Sequence, residues 1–219
     1  MRTQLFLFDL DGTLVDTAPD LGGAVNDMLR DRGLPELSME VLRAPAGHGA
    51  PALLRTAFGI ERDDPKFPEM REEFLENYRR RGVSHSPLFT GIRDLLRALT
   101  EAGIACGIVT NKPIELTRAV CDELDLTRHM AVVIGVGMPG TAVKPKPDSL
   151  IKALEDTGIT AAHAVYAGDS TFDAEAAHAA GLPFAWVAWG CQPSPTPADI
   201  TELVATSPAD LFEWAIRRG

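Results

Sequence analysis

The stretch Leu5-Phe6-Leu7-Phe8-Asp9-Leu10-Asp11-Gly12-Thr13-Leu14-Val15-Asp16 limits what this chain can become more than any other. Four consecutive apolar residues read as a strand buried on both faces, as in a parallel sheet. They run straight into a carboxylate, and a second follows two positions later. Period-2 geometry sends Asp9 and Asp11 the same way, with Leu10 opposite, and Gly12 lets the backbone turn sharply. Two acids side by side at the end of a buried strand are costly unless a cation or a shared proton compensates. A lone Asp there would cap a turn, but Asp-x-Asp-Gly-Thr should arise by chance in only about one chain in a thousand of this size. Ligand sites of open α/β sheets lie at this end of the strands.

From residue 16 to residue 85 the pattern is helical. Thr17 and Asp20 read as a capping pair for a first helix with Leu21, Val25, Met28 and Leu29 on one face. A short helix starts at Ser38, and Ala44 to Pro51 reads as a Gly-rich loop around Gly47, His48 and Gly49. A last helix carries Phe67, Met70, Phe74, Leu75 and Tyr78 as a stripe that reads as core. From Ser86 strands and helices alternate. Strands are expected at 104–109, 131–135, 164–168 and 184–188, and Pro113 should open a helix at its first position. The expected fold is α/β: a doubly wound parallel sheet of about five strands, a Rossmann-like core formed by residues 1–15 and 86–219. An all-helical cap of residues 16–85 would be inserted after the first strand and sit over the strand ends.

Charge narrows the partners. A net charge of -10 with pI near 4.9 argues against nucleic acid and against an anionic membrane. A small anionic substrate stays open, because local fields at a metal site can outweigh the global charge. Cys106, Cys121 and Cys191 have no ligand spacing, and the first two fall on apolar positions, which fits core thiols in a reducing cytoplasm. No leader-like segment and no apolar run of membrane length is present. Pro193 to Pro197 reads as an extended connection.

The polar residues at strand exits are Asp9 and Asp11, Thr110 and Asn111, and Asp169, with Lys144 just before a helix. They should meet at one sheet edge. Asp9 and Asp169 are hard oxygen ligands suited to Mg²⁺. Thr110 offers a hydroxyl and Lys144 a point charge for phosphate oxygens. Asp9 can attack phosphorus, and Asp11 can hand a proton to the leaving oxygen.

Asp9-Leu10-Asp11-Gly12-Thr13, then Thr110-Asn111, then Lys144, then Gly168-Asp169-Ser170-Thr171-Phe172-Asp173 resemble, in order, the four motifs of the haloacid dehalogenase-like (HAD) phosphohydrolases. The resemblance implies Asp9 as nucleophile, Asp11 as acid/base, and Thr110, Asn111 and Lys144 as phosphate binders. It implies Mg²⁺ on Asp9, the Asp11 carbonyl and Asp169, with Asp173 a second metal-side acid. Asp173 also reads as an ordinary first-turn helix acid. Leu14 to Leu21, the Gly47-His48-Gly49 loop and Lys144-Pro145-Lys146-Pro147-Asp148 are most similar to the phosphoglycolate phosphatases. His48 and Lys146 stand where that group commonly has Asn and His, which leaves the ester open. The expected activity is hydrolysis of a small phosphorylated metabolite, 2-phosphoglycolate first. A sugar or amino-sugar phosphate, or a sugar phosphomutase reaction, is the alternative. A non-enzymatic phospho-receiver, which also combines Asp, Thr, Lys and Mg²⁺, is the reading from another class. The sequence carries no sign of an oligomeric state.

Overall fold

The computed structural model describes residues 2–191 and 199–218. The Pro193 to Pro197 connection therefore lies outside the described residues. Strand β1 (Leu5–Phe8) is fully buried and has parallel neighbours on both sides, β2 (Ala105–Pro113) and β4 (Ala164–Gly168). Strands β3 (Met130–Val136), β5 (Phe184–Val187) and β6 (Leu203–Ala205) extend the sheet in the order β3-β2-β1-β4-β5-β6. The strand order reverses direction at β1, so the crevice at the carboxyl ends of β1, β2 and β4 is a switch point of the kind where doubly wound sheets bind ligands. The sheet has a sixth strand where about five were expected. Leu203-Val204-Ala205 is too short to show a strand period, and only pairing with β5 reveals it.

Alternation along β1 explains why all of it is buried. Phe6 and Phe8 face a core shared with helices α5 (Ile92–Glu101), α6 (Ile114–Glu123) and α9 (Pro208–Arg217). Leu5 and Leu7 face the opposite core, shared with α7 (Asp148–Thr157) and α8 (Thr171–Ala179). Between β1 and α5 the chain forms α1 (Ala18–Asp31), α2 (Met39–Ala46), α3 (Gly49–Phe58) and α4 (Phe67–Arg81). Val25, Met28, Leu42, Leu53, Leu54, Phe74 and Tyr78 pack there as a third apolar cluster, which Leu116 and Cys191 join from outside the helical segment. Cys106 and Cys121 are buried free thiols as expected, and so is Cys191.

Three local expectations are corrected. Thr17 precedes α1 but makes no capping hydrogen bond, and Asp20 is turned elsewhere. Asp20 is fully buried and accepts from the His85 backbone N–H at 2.8 Å and the Ser86 hydroxyl at 2.7 Å, across the segment that leads back to the sheet. The Gly-rich loop is shorter than its composition suggests. Helix α2 runs through Pro45 to Ala46 and α3 begins at Gly49, leaving Gly47 and His48 as the junction. Pro113 ends β2 and is the residue before α6 rather than its first.

The two crossings between the sheet and the four helices run side by side. Val15 bridges Leu88, and the Asp16 N–H donates to the Pro87 carbonyl at 2.9 Å. Arg43 of α2 grips Asp16 with two hydrogen bonds of 3.0 Å. Among the described residues, no helix is long and apolar enough to cross a membrane.

The β1 core sets a stability test. Phe6 is fully buried, stacks on Phe8 at 4.3 Å and meets Trp214 edge-on at 6.1 Å. Phe6→Ala should cost about 3–5 kcal/mol. The check is urea unfolding: a lower midpoint at unchanged slope is expected.

Candidate active site

The carboxyl ends of β1, β2 and β4 bring four acids and two lysines together. Asp9 leaves β1 and Asp169 leaves β4. Asp173 lies one turn later, in α8, where it forms a capping box with Ser170. One carboxylate oxygen from each of Asp9, Asp169 and Asp173 lies within 4.8 Å of the others, and all three residues are buried. Lys144 answers this charge. Its ammonium is 2.5 Å from Asp173 Oδ1 and 3.0 Å from Asp9 Oδ1, and it also donates to the Tyr166 hydroxyl at 2.7 Å. The Tyr166 hydroxyl in turn lies 2.7 Å from Asp173 Oδ1. The other Asp173 oxygen accepts from the Ser170 hydroxyl and N–H.

Burial governs the protonation of this group. It pushes the Asp9 carboxyl up to about 6, against the pull of Lys144 and with help from Asp173 and Asp11. It pushes Asp169 well above the usual carboxylate range, with Asp173 and Asp9 adding to it, while the Cys191 N–H at 2.7 Å works the other way. Burial alone would lower Lys144, but Asp173 and Asp9 outweigh it and hold the ammonium charged. Three buried acids against one lysine leave negative charge without a partner, and Asp9 Oδ1 is buried without a well-aligned hydrogen bond. That donor set fits a hard divalent cation. The pocket around Asp169 is walled by backbone. A Cβ at Gly12, where φ is +82°, would lie 2.3 Å from Asp169 Oδ2, and one at Gly190 would lie 2.2 Å from Asp169 Cβ. Only glycine permits either approach.

Asp11 has a separate partner. Lys112 Nζ lies 3.0 Å and 3.2 Å from its two oxygens, and 4.3 Å from the centre of the Tyr78 ring of α4. Burial alone would lower the Lys112 ammonium, but Asp11 and Tyr78 together more than restore it and hold it charged. One lysine of the sheet thus touches both an acid of the site and an aromatic ring of the four-helix segment.

These residues open into a cavity of about 410 Å³ lined by the sheet edge and the four-helix segment. Thr110 and Asn111 line it beside Asp9, Asp11 and Lys144. Thr110 is buried. The Asn111 amide is committed to the Lys144 backbone, accepting from its N–H at 2.7 Å and donating to its carbonyl at 3.2 Å. Gly47, His48 and Gly49 also line the cavity. His48 meets Phe172 of α8 edge-on at 5.7 Å. Asp169 and Asp173 sit behind the lining, and exposed Lys146 is not part of it.

Sequence reasoning missed several groups in and around the site. Lys112 was legible: two residues after Thr110 on a strand, it shares that residue's face. Tyr166 looked like any strand aromatic. Phe67, Phe74, Leu75 and Tyr78, read as core, are also cavity wall, because one face of α4 packs inward while its rim borders the site. Arg62 carried no pattern, and Arg71 shares the face of that stripe but is passed over by an apolar reading.

The model for a haloacid dehalogenase-like hydrolase matches residues 6–187. The phosphoglycolate phosphatase of Xanthomonas campestris pv. campestris is 40% identical over 184 residues, 84% of this chain and 82% of the relative. The N-acetylmuramic acid 6-phosphate phosphatase of Pseudomonas putida is 36% identical over 190 residues, 87% of this chain and 85% of the relative. The crystal structure of a predicted phosphoglycolate phosphatase from Haemophilus somnus 129pt superposes with a TM-score of 0.84 at 26% identity, covering 98% of each chain. All are hydrolases or phosphatases by name, which sets aside the phospho-receiver reading.

Cation binding at this acidic cluster is expected to be measurable without turnover. Mg²⁺ should raise the melting midpoint of the metal-free protein, since whatever binds the folded state alone stabilises it. Asp169→Asn removes one buried like charge. It should keep the metal-free midpoint at or above wild type and lose most of the Mg²⁺ response, read by differential scanning calorimetry.

Proposed function

As the chain belongs to the haloacid dehalogenase-like hydrolases and is one of their phosphatases, we propose that it hydrolyses the phosphate monoester of a small organic acid through an aspartyl-phosphate on Asp9. The observation that carries this reading is the separate pairing of the two leading acids at one cavity, Asp9 with Lys144 and Asp11 with Lys112. Two carboxylates two residues apart are thereby held in different surroundings, as a nucleophile and an acid/base must be.

In the first half-reaction an Asp9 oxygen bonds to phosphorus while the bond from phosphorus to the ester oxygen breaks, and Asp11 gives that oxygen its proton. In the second, water bonds to phosphorus, Asp11 takes a proton from it, and the bond between phosphorus and Asp9 breaks. Phosphate leaves and both carboxyls return to their starting state. Thr110 and Lys144 would hold phosphate oxygens. Asn111, through its two bonds to the Lys144 backbone, positions that lysine. Asp9, Asp169 and the Asp11 carbonyl would hold Mg²⁺, which supplies positive charge against the phosphate oxygens. Asp173, with both oxygens engaged, serves chiefly to orient Lys144 and Tyr166.

Residues 16–85 would act as the cap and residues 1–15 with 86–219 as the catalytic core. The paired crossings at Val15 and Leu88 are the natural hinge, with Gly82 at φ +62° beside it. For the substrate, 2-phosphoglycolate comes first, from the Xanthomonas relative. The second candidate is an amino-sugar acid phosphate, from the Pseudomonas relative. The cavity of about 410 Å³ has room for either ester.

Phosphate release over a panel of monoesters with Mg²⁺ tests the reading. Asp9→Asn should abolish turnover on every ester while the protein stays folded by circular dichroism. Asp11→Asn should lose about 10²–10⁴-fold on alkyl esters. It should lose much less on p-nitrophenyl phosphate, whose leaving group needs little protonation. Near wild-type turnover in Asp9→Asn would sink the nucleophile assignment.

A further inference from the structure

Charge around the cavity does not balance. Among its described lining residues the carboxylates are Asp9 and Asp11, while the lysines and arginines are Arg62, Arg71, Lys112 and Lys144. Lys144 is paired with Asp9 and Lys112 with Asp11. Arg62 and Arg71 are left, and neither has a hydrogen bond, ion pair or ring contact among the described residues. Glu61 and Asp63, the sequence neighbours of Arg62, line an adjoining depression with it and not this cavity.

Placement gives the two arginines a direction. On α4, Phe67, Arg71, Phe74 and Tyr78 recur at helical spacing and all line the cavity, so Arg71 belongs to the face that looks onto it. Arg62 lies in the segment between α3 and α4. Both come from the helical segment, whereas Asp9 and Thr110 stand at strand ends of the sheet and Lys144 in the loop before α7. Leu21, Phe67, Phe74, Val136 and Phe172 supply apolar wall to the same cavity. A ligand filling it meets the phosphate machinery on the sheet side, apolar surface along its length, and two guanidinium groups from the helical side. In a chain of net charge -10, two uncompensated arginines facing one cavity select for an anion there.

We propose that Arg62 and Arg71 form a subsite for a carboxylate that the substrate carries in addition to its phosphate. The proposal rests on the phosphatase reading above and assigns the carboxylate of its organic-acid ester to two named residues. Planar guanidinium groups match a carboxylate through paired N–H donors. The carboxylate chooses the ester, and the sheet residues do the chemistry on any phosphate that reaches them.

The test uses the full chain with Mg²⁺ and matched esters that differ only in carboxylate against hydroxymethyl. The pairs are 2-phosphoglycolate with 2-hydroxyethyl phosphate, and 6-phosphogluconate with sorbitol 6-phosphate. p-Nitrophenyl phosphate and a sugar bisphosphate complete the set. Wild type should favour the acid in at least one pair. Arg62→Ala/Arg71→Ala should lower kcat/KM for that acid by about 10–100-fold, the scale of losing charge-assisted hydrogen bonds. It should leave the neutral partner and p-nitrophenyl phosphate within about threefold, with Arg71→Lys intermediate on the acid. Equal losses on acid and neutral esters would mean a structural role and overturn the subsite. So would the absence of any acid preference in wild type, or a preference for the bisphosphate. Failure of wild type on every ester, p-nitrophenyl phosphate included, would instead bring down the phosphatase reading itself.

Discussion

Lys144 holds its ammonium within 3.0 Å of Asp9 and against Asp173, where the ends of β1 and β4 would otherwise bring three buried acids together with no cation of the chain's own. Much of the local architecture serves that contact. Asn111 clamps the Lys144 backbone, Tyr166 takes a third place around the ammonium, and Ser170 fixes the far side of Asp173. Removing the Lys144 charge would leave the acids buried and without a cation, and that is the side on which such a group is costly to disturb. The excess of acid over lysine suits a site that takes a divalent cation, and the glycine walls at Gly12 and Gly190 keep the space beside Asp169 free of side chains.

A second lysine extends the same logic to the helical segment. Lys112 meets Asp11 of the sheet edge and the Tyr78 ring of α4, so the acid/base candidate and the four-helix unit are joined through one side chain. The crossings reinforce the join. Asp20, buried in the first turn of α1, is satisfied by His85 and Ser86 on the returning segment, and Arg43 clasps Asp16 on the outgoing one. Any movement of the helices over the cavity must keep or trade these contacts, and with them the His48–Phe172 contact.

Local patterns were legible wherever one short stretch carried both period and chemistry. β1 with Asp9 and Asp11, β4 with Asp169, and α9 from Pro208 could be read directly, because a buried strand needs an unbroken apolar run and a helix needs a repeating stripe. Failures share a cause. Thr17 and Asp20 look like a capping pair in sequence, but Asp20 is recruited by backbone and hydroxyl donors 65 and 66 residues away. The helix α2 continues through Pro45 although its composition reads as loop, since Leu42 and Ala46 are buried against neighbouring helices. The stripe on α4 is core on one side and cavity rim on the other, and no spacing distinguishes the two.

The amino-acid sequence by itself determined the α/β class, the helical insertion after the first strand, and the acids and lysine of four motifs, because each depends on residues adjacent in the chain. Tertiary structure alone decided which cation stands beside which acid, that Asn111 and Asp173 serve Lys144, and that Lys112 reaches Tyr78. It also decided that Arg62 and Arg71 border the cavity without a counter-charge. The reason is distance along the chain: these contacts join residues dozens of positions apart, and their geometry follows from how the sheet edge and the helices pack, which local period and composition do not encode.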